Sequence, residues 1–388
     1  AYNSRSDSEP PPCPESYDSV LARQLQLQLA ELKRGGSIAG AQVCVLDTAG
    51  EEVVQIVDGH LGGLKKHIEM RSDALVLGYS CTKAIAATMA HMMVAQGDLD
   101  YDEPVCERLW PAFCPTDEPP PDLHSALAMP EYLVQQRWSW KRRITLRHIL
   151  THTSGLWSAF PADLSIKTMA SCEKCVAAFE YDDACPEKTL LPTSKPSSDT
   201  EYHFLSFGWL VAGALIGAYA EKVGLKRKDV TFQKVYDSVL LPKLSEQTVA
   251  AGFRPCGGSG GFPMAFTETA DIKVTELLQK QREAQSQGES TGMDEGMKRI
   301  RESVRGKEFL LDQRIWNCHI ALNANCPAAG GRFSASGLAR FYRDLGTGQI
   351  IDKTTLKNVT APVAMEFVAN AFQGRTNMAS DANAASNH

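Results

Sequence analysis

The sequence predicts an α+β fold in which helices pack on an antiparallel sheet. Three observations lead to this class: a helical pattern followed by a two-stranded hairpin, a long and mainly helical middle, and a stretch after residue 330 where the chain is expected to return to strands. Hydrophobic residues make up 43% of the 388 residues and charged residues 22%, a balance typical of a globular protein with a sizeable core.

The N-terminal part is predicted to contain one helix and one hairpin. Residues 1–16 are rich in Ser, Pro and Glu and are expected to be disordered. Residues 21–33 carry leucines at helical spacing and stop before two glycines, which is a helix-ending signal. Residues 39–47 and 51–59 are β-branched and apolar on either side of a short turn, so we expect them to pair as antiparallel strands.

The middle of the chain is predicted to be an all-helical subdomain, beginning with a helix from Ser80 to Ala95 that Gly97 closes. The apolar run from Phe207 to Ala220 has 14 residues, whereas a membrane span needs about 20, so it is predicted to be a buried core helix and no transmembrane segment is expected. Further helices are predicted at 144–151 after a Thr145 cap, at 231–241 after a Thr231 cap, and at 334–345 after a Ser334 cap.

These elements are assigned to one domain over residues 17–365, with its helical part at about 97–320. A polar insertion is predicted at 257–318 and a loose tail at 366–388. The chain begins with Ala1 and has neither an initiator Met nor an apolar signal core, so we expect a processed protein or a piece of a longer one.

Composition narrows the function classes. The net charge is -6, from 40 Lys and Arg against 46 Asp and Glu, which disfavours nucleic acid and anionic membranes as partners. The eleven irregularly spaced cysteines suit reduced thiols in a reducing compartment better than a disulfide framework. Cys172 and Cys175 form a CxxC pair near Cys185, but no second pair completes four ligands, so no metal or cofactor is expected.

Ser80 and Lys83 form a Ser-x-x-Lys pair whose chemistry depends on the helix predicted there. Residues at i and i+3 share a helix face, so the lysine amine can reach the serine hydroxyl. Burial can lower the pKa of a lysine until part of it is neutral. A neutral amine can take the proton of the serine and so activate it as a nucleophile. The alternative is structural: Ser80 caps the helix and Lys83 points into solvent.

The flanking residues favour the catalytic reading. The segments LGYSCTKAIAATMAHMMVAQGDLDYDEPV (77–105) and ITLRHILTHTSGL (144–156) resemble the serine beta-lactamase and penicillin-binding-protein superfamily, in its class C-like, esterase-like branch. That resemblance covers about residues 20–365. It implies a sheet flanked by helices plus an all-helical subdomain, and a serine hydrolase that forms an acyl-enzyme on an ester, amide or lactam carbonyl. It implies no cofactor.

The resemblance also implies a tyrosine that relays the serine proton, and Tyr202 in EYHFLSFGWL (201–210) is the first candidate. Starting the family's Tyr-x-Asn motif at Tyr202 places Phe204 where the Asn belongs. Aligning on Gly208 instead moves Phe204 to the tyrosine position and Ser206 to the Asn position, and a phenylalanine cannot relay a proton. Tyr181 is a weaker candidate. His152 in the THTSG turn is expected to be structural, as are Gly330 and Gly331.

One family motif is absent from the sequence. The resemblance implies a late Lys-Thr-Gly or His-x-Gly on an edge strand that supplies a second oxyanion donor, but neither occurs after residue 345. The C-terminal strands are therefore expected to be missing, either because the chain is a truncated piece of an active enzyme or because it is a degenerate member of the family. Two functions remain open: a serine hydrolase acting on a small-molecule or peptide-like acyl substrate, and a catalytically degraded protein of this fold that serves as a binding or scaffold module. The oligomeric state is not predicted.

Overall fold

The computed structural model describes residues 20–36, 38–47, 49–62, 68–244, 292–322 and 324–359. The α-helices are α1 (Val20–Arg34), α2 (Thr82–Ala95), α3 (Leu123–Ala126), α4 (Glu131–Arg142), α5 (Leu146–Leu150), α6 (Ile166–Met169), α7 (Cys172–Ala177), α8 (Ser206–Val223), α9 (Phe232–Val239), α10 (Gly292–Ser303), α11 (Gln313–Trp316), α12 (His319–Leu322), α13 (Ala335–Thr347) and α14 (Lys353–Val359). Short 3-10 helices occupy Tyr79–Cys81, Pro111–Phe113, Pro186–Lys188, Arg227–Asp229, Leu241–Lys243 and Glu308–Leu311. The strands are β1 (Gly40–Leu46), β2 (Glu52–Gly59), β3 (Val76–Leu77) and β4 (Arg332–Phe333).

The predicted helix and hairpin at the N-terminal end both form. Strands β1 and β2 pair antiparallel from Gly40 opposite Gly59 onward, with one register shift near the turn. Val54 and Ile56 of β2 bury their side chains against α1, where the leucine-rich face meets the sheet. Helix α13 packs against β1 through a hydrogen bond from the Ala335 N–H to the Gln42 side chain (2.9 Å). Residues far apart in sequence thus meet on this hairpin.

A second, shorter antiparallel ladder leads directly into the first helix of the helical part. Strand β3 pairs with β4, so that Leu77 lies opposite Arg332. Beyond the ladder, the Gly78 N–H donates to the Gly331 carbonyl (2.8 Å), and the Gly331 N–H donates to the Thr82 hydroxyl (3.0 Å). A side chain on Gly331 would come within 2.8 Å of that hydroxyl, so close packing requires this glycine. The start of α2 is therefore tied to β4.

Helix α8 forms the centre of the main hydrophobic core. It is buried along most of its length, and α2, α5, α7 and α9 all pack against it. Gly213 lets the Trp110 ring approach the helix, because an added Cβ would lie 2.1 Å from that ring. The apolar run of the sequence is thus a core helix, as predicted. In the portion of the chain that the structure describes, no helix is long and apolar enough to span a bilayer.

The α+β class predicted from the sequence is confirmed. Among the described residues, the last strand is β4, and residues 360–388 lie outside them. The predictions for residues 1–16, for the tail 366–388 and for the first part of the insertion, through residue 291, also lie outside. The rest of the insertion contains α10, whose Arg299 forms an ion pair with Glu201 (3.3 Å).

Candidate active site

Ser80 lies in the 3-10 turn between β3 and α2, and Lys83 lies on the first turn of α2. The serine is exposed, whereas Lys83 is only 8% exposed. The Lys83 Nζ lies 3.5 Å from the Ser80 Oγ. Ser80 does not cap α2: the N-cap is Cys81, without a side-chain hydrogen bond. The structural alternative, in which Ser80 caps the helix and Lys83 faces solvent, therefore does not describe this geometry.

The residue before the serine has a strained backbone. Tyr79 has a φ of 41°, in the left-handed region that non-glycine residues seldom occupy. Such a conformation costs about 1–3 kcal/mol and persists only where surrounding contacts hold it. The Tyr79 ring packs edge-on against Trp316, with centroids 6.2 Å apart. The strained turn presents the Ser80 hydroxyl at the surface while the following turn of α2 enters the core.

Two main-chain carbonyls hold the Lys83 amine. Its Nζ donates to the Phe204 carbonyl at 2.8 Å and to the Ala328 carbonyl at 3.0 Å. Burial lowers the pKa of Lys83 below its usual 10.5, and the adjacent Tyr202 phenol offsets part of that shift. The neutral amine is thus more accessible near neutral pH than in an exposed lysine. Segments near residues 204 and 328 converge on this one side chain.

Tyr202 supplies the third side chain. Its hydroxyl donates to the Ser80 Oγ at 2.7 Å, and the Lys83 Nζ lies 4.8 Å from its ring centroid. The Phe204 side chain instead packs against the hydrophobic core. Ser206 lies within α8, where its hydroxyl donates to the Trp157 carbonyl (3.4 Å). Of the two sequence registers, the structure therefore brings Tyr202, and neither Phe204 nor Ser206, to the serine.

Tyr181 does not join this group. Its ring packs edge-on against Trp138, with centroids 5.7 Å apart, and its N–H donates to the Ala112 carbonyl (2.8 Å). These contacts place it beside α4, at a wall of the helical core.

Two histidines lie behind Tyr202, His152 half-buried and His203 fully buried. The His152 ring packs against Tyr202 and Phe207, with centroids 5.0 Å away in each case, and its Nδ1 accepts the His203 N–H (3.1 Å). His203 donates from Nδ1 to the Glu201 carbonyl (2.6 Å) and accepts at Nε2 from a serine hydroxyl (2.7 Å). Burial lowers the pKa of His152 well below 6.5 and that of His203 to about 4, so both imidazoles are neutral near pH 7.

This layer fixes the segment that carries Tyr202. His152 has a φ of 61°, another left-handed position, and its ring supports the Tyr202 phenol without a described hydrogen bond to Ser80. The serine that donates to His203 is Ser154, from the same THTSG turn. The arrangement agrees with the structural role expected for His152, and it adds His203, which the sequence reasoning missed.

Comparisons with known proteins identify the family of this chain. The sequence profile of the beta-lactamase family matches residues 25–378, which is most of the chain. The chain belongs to the beta-lactamase family. Over 285 residues it is 26% identical to the esterase/beta-lactamase LipL of Mycobacterium tuberculosis, an alignment that covers 72% of this chain and 53% of LipL. The chain thus spans about half the length of that curated relative.

Solved structures show the same beta-lactamase-type fold. A family VIII carboxylesterase superposes with a TM-score of 0.57 at 16% identity, covering 87% of this chain and 74% of its own. A penicillin-binding-protein homologue from Caulobacter crescentus superposes with a TM-score of 0.55 at 17% identity, covering 88% and 76%. At these identities the likeness concerns the fold alone. The predicted family resemblance is confirmed.

The carbonyls that hold Lys83 could not have been found by searching the sequence for family motifs, because every residue has a carbonyl. The GGRFS segment near residue 330 gave an indirect signal, since the chain was expected to return to strands there. Within the described residues, no group of three or more His, Cys, Asp or Glu side chains could hold a metal ion. Cys172 and Cys175 are buried in α7 instead.

Proposed function

We propose that this chain is a serine hydrolase that forms an acyl-enzyme on Ser80, with Lys83 and Tyr202 moving the serine proton. The observation that carries the proposal is the convergence of a phenol at 2.7 Å and an amine at 3.5 Å on one exposed hydroxyl. A serine oxygen is a weak nucleophile until a neighbouring base removes its proton. Both neighbours lie within or near the hydrogen-bond distance that such a transfer needs.

In the first step, the Ser80 Oγ attacks an ester, amide or lactam carbonyl. Its proton passes to the neutral Lys83 amine, either directly or through the Tyr202 hydroxyl, which takes the serine proton as it gives its own to the amine. The two carbonyls on Lys83 hold the amine in place through either state. The proton then goes to the leaving group, and water hydrolyses the acyl-enzyme with the same pair acting as base.

The tetrahedral intermediate needs hydrogen-bond donors for its oxyanion. The Ser80 N–H lies in the first turn of a helical segment, where N–H groups lack intrahelical acceptors, and it is the proposed first donor. The residues after 345 contain neither Lys-Thr-Gly nor His-x-Gly, so no second donor is assigned here. The second candidate function is a catalytically degraded module of the same fold that binds an acyl compound or a protein partner. It is favoured by Phe204, which stands where the family's Asn belongs when the motif starts at Tyr202.

An ester is the first proposed substrate class and a beta-lactam the second. The name of the relative LipL, esterase/beta-lactamase, includes both. The proposal applies to a small-molecule or peptide-like acyl group.

A fluorophosphonate probe tests the proposal, because it labels a serine that is activated as a nucleophile. We expect labelling of the purified chain and none of Ser80→Ala. Ser125→Ala is the matched control, since Ser125 is an exposed serine that contacts His124 and lies outside the site. Labelling that persists in Ser80→Ala would reject Ser80 as nucleophile. A folded wild-type chain that remains unlabelled would favour the binding module.

A further inference from the structure

One cavity is not lined by any of the three side chains at the serine. It has a volume of about 260 Å³ and is formed by α4, the loop at 155–159 and the segment at 189–193. Ser80, Lys83 and Tyr202 do not line it. Polar atoms form nearly half of its exposed wall, and its larger apolar side chains are Leu127, Met129, Leu156, Leu190 and Leu191. We call it the Arg137 cavity, after the one charged side chain among its lining residues.

Arg137 carries a positive charge without a protein partner. Its guanidinium forms no hydrogen bond or ion pair with the residues that the structure describes, and its Nε is buried. Arg142, one and a half turns along the same helix, shows the contrast: it donates to the Thr116 carbonyl (3.1 Å) and pairs with Asp117. A buried guanidinium nitrogen that lacks an acceptor is costly, because desolvation is not offset by a bond.

A second polar atom without a described partner belongs to another lining residue, Thr189. Thr189 is 8% exposed, and its Oγ1 is buried with no partner in the described structure. Thr193, another lining residue, is satisfied: its hydroxyl donates to the Gly155 carbonyl (3.1 Å) and accepts the Trp157 Nε1–H (3.1 Å). The cavity thus offers a cationic donor and a free hydroxyl, both unused by the fold.

The charge and the walls together define a ligand class. No Asp or Glu lines the cavity, so the Arg137 charge is not neutralised there by a described side chain. Guanidinium groups pair best with carboxylates and phosphates, because their N–H groups match two oxygens at once. Aliphatic walls disfavour a bare, fully hydrated phosphate and favour a ligand with an apolar body. A volume of 260 Å³ suits a compound smaller than most drugs.

We propose that the Arg137 cavity binds a small carboxylate with a short apolar body. The carboxylate accepts from Arg137 and from the Thr189 hydroxyl, and the hydrocarbon part packs among the leucines. This inference goes beyond the proposed hydrolase function and does not depend on it, since the cavity shares none of the three side chains that converge on Ser80.

Isothermal titration with sodium hexanoate tests the site, with hexan-1-ol and inorganic phosphate as the neutral and the non-apolar probes. We expect saturable hexanoate binding, and weaker binding of both other probes. Arg137→Gln removes the charge but keeps a polar chain, and it should weaken hexanoate binding at least about 10-fold. Arg143→Gln is the matched control, because Arg143 is exposed at the end of the same helix. It should bind hexanoate as the wild type does.

Two further variants keep the result interpretable. Thr189→Val removes the hydroxyl at nearly constant volume and should weaken binding by a smaller factor, which covers the case in which Arg137→Gln fails to fold. Ser80→Ala should bind hexanoate normally, because the cavity does not include the serine; loss of binding in that variant would assign the ligand to the serine site. Absence of saturable binding, equal binding of hexanol or phosphate, or unchanged affinity in Arg137→Gln would each overturn the proposal.

Discussion

Replacing Tyr202 with Phe removes the hydroxyl that donates to Ser80 and leaves the rest of the site in place. The ring would keep its packing on His152 (centroids 5.0 Å apart) and its position 4.8 Å from the Lys83 amine. Because Tyr202 is 37% exposed, loss of the hydroxyl should change the free energy of unfolding by less than about 1 kcal/mol. The effect on the reaction should be much larger.

Loss of a positioned proton-transfer group lowers a rate by about 10²–10⁴-fold, or about 3–5 kcal/mol of transition-state stabilisation. We expect a fall of that size in the rate of fluorophosphonate labelling and of ester hydrolysis by Tyr202→Phe. Tyr181→Phe is the control, because Tyr181 packs on Trp138 away from the serine. A wild-type rate in Tyr202→Phe would refute the proton relay, and an equal loss in both variants would point to a general effect of removing a phenol.

The remaining predictions concern burial around the same core. Gly208→Ala would place a Cβ 2.4 Å from the Ala328 nitrogen, so it should lower the free energy of unfolding in urea by about 1–3 kcal/mol. Because the substitution should also move the Ala328 carbonyl away from Lys83, it should slow fluorophosphonate labelling. The labelling rate should rise with pH and level off below pH 10.5, because burial lowers the pKa of Lys83 and the neutral amine is the base; a plateau only above that pH would contradict this. Lys141 is fully buried, and burial lowers its pKa to about 8 from 10.5. Between those pH values the unfolded chain holds the proton and the folded protein does not. The free energy of unfolding of the wild type should therefore rise by about 3 kcal/mol, relative to Lys141→Met, as the pH increases through this window. Denaturant midpoints of both proteins at the two ends of the window measure this change.

Local patterns predicted the elements that local interactions determine. Leucine spacing marked α1, and the side chains of Thr145, Thr231 and Ser334 each cap the helix predicted after them. The 14-residue apolar run marked a core helix because continuous hydrophobicity at that length has no other stable place in a globular protein. The boundaries differ by a few residues in both directions: α8 is longer than the predicted 207–220, whereas the helix predicted from Ser80 begins at Thr82.

The site was predictable only in part, for a physical reason. Ser80 and Lys83 are three residues apart, so helix geometry alone brings them together. Tyr202 is 122 positions from Ser80, and its placement depends on the two neutral histidines and the α8 start that fix its segment. The strain at Tyr79 could not be anticipated, because it arises from packing of β3 against β4 and of the ring against Trp316.

One departure from the family pattern lies among the described residues of the site. Phe204 stands where the family's Asn belongs when the motif starts at Tyr202, yet its carbonyl holds Lys83, and a carbonyl survives any side-chain change. That departure leaves the anchoring of the amine intact. The second oxyanion donor is not assigned, and one such donor contributes about 10²–10³-fold to a rate. Since enzymes accelerate their reactions by about 10⁶-fold or more, a single donor would support a slower reaction. Labelling of Ser80 requires an activated hydroxyl but no complete catalytic turnover. It should therefore remain measurable even if ester hydrolysis is slow.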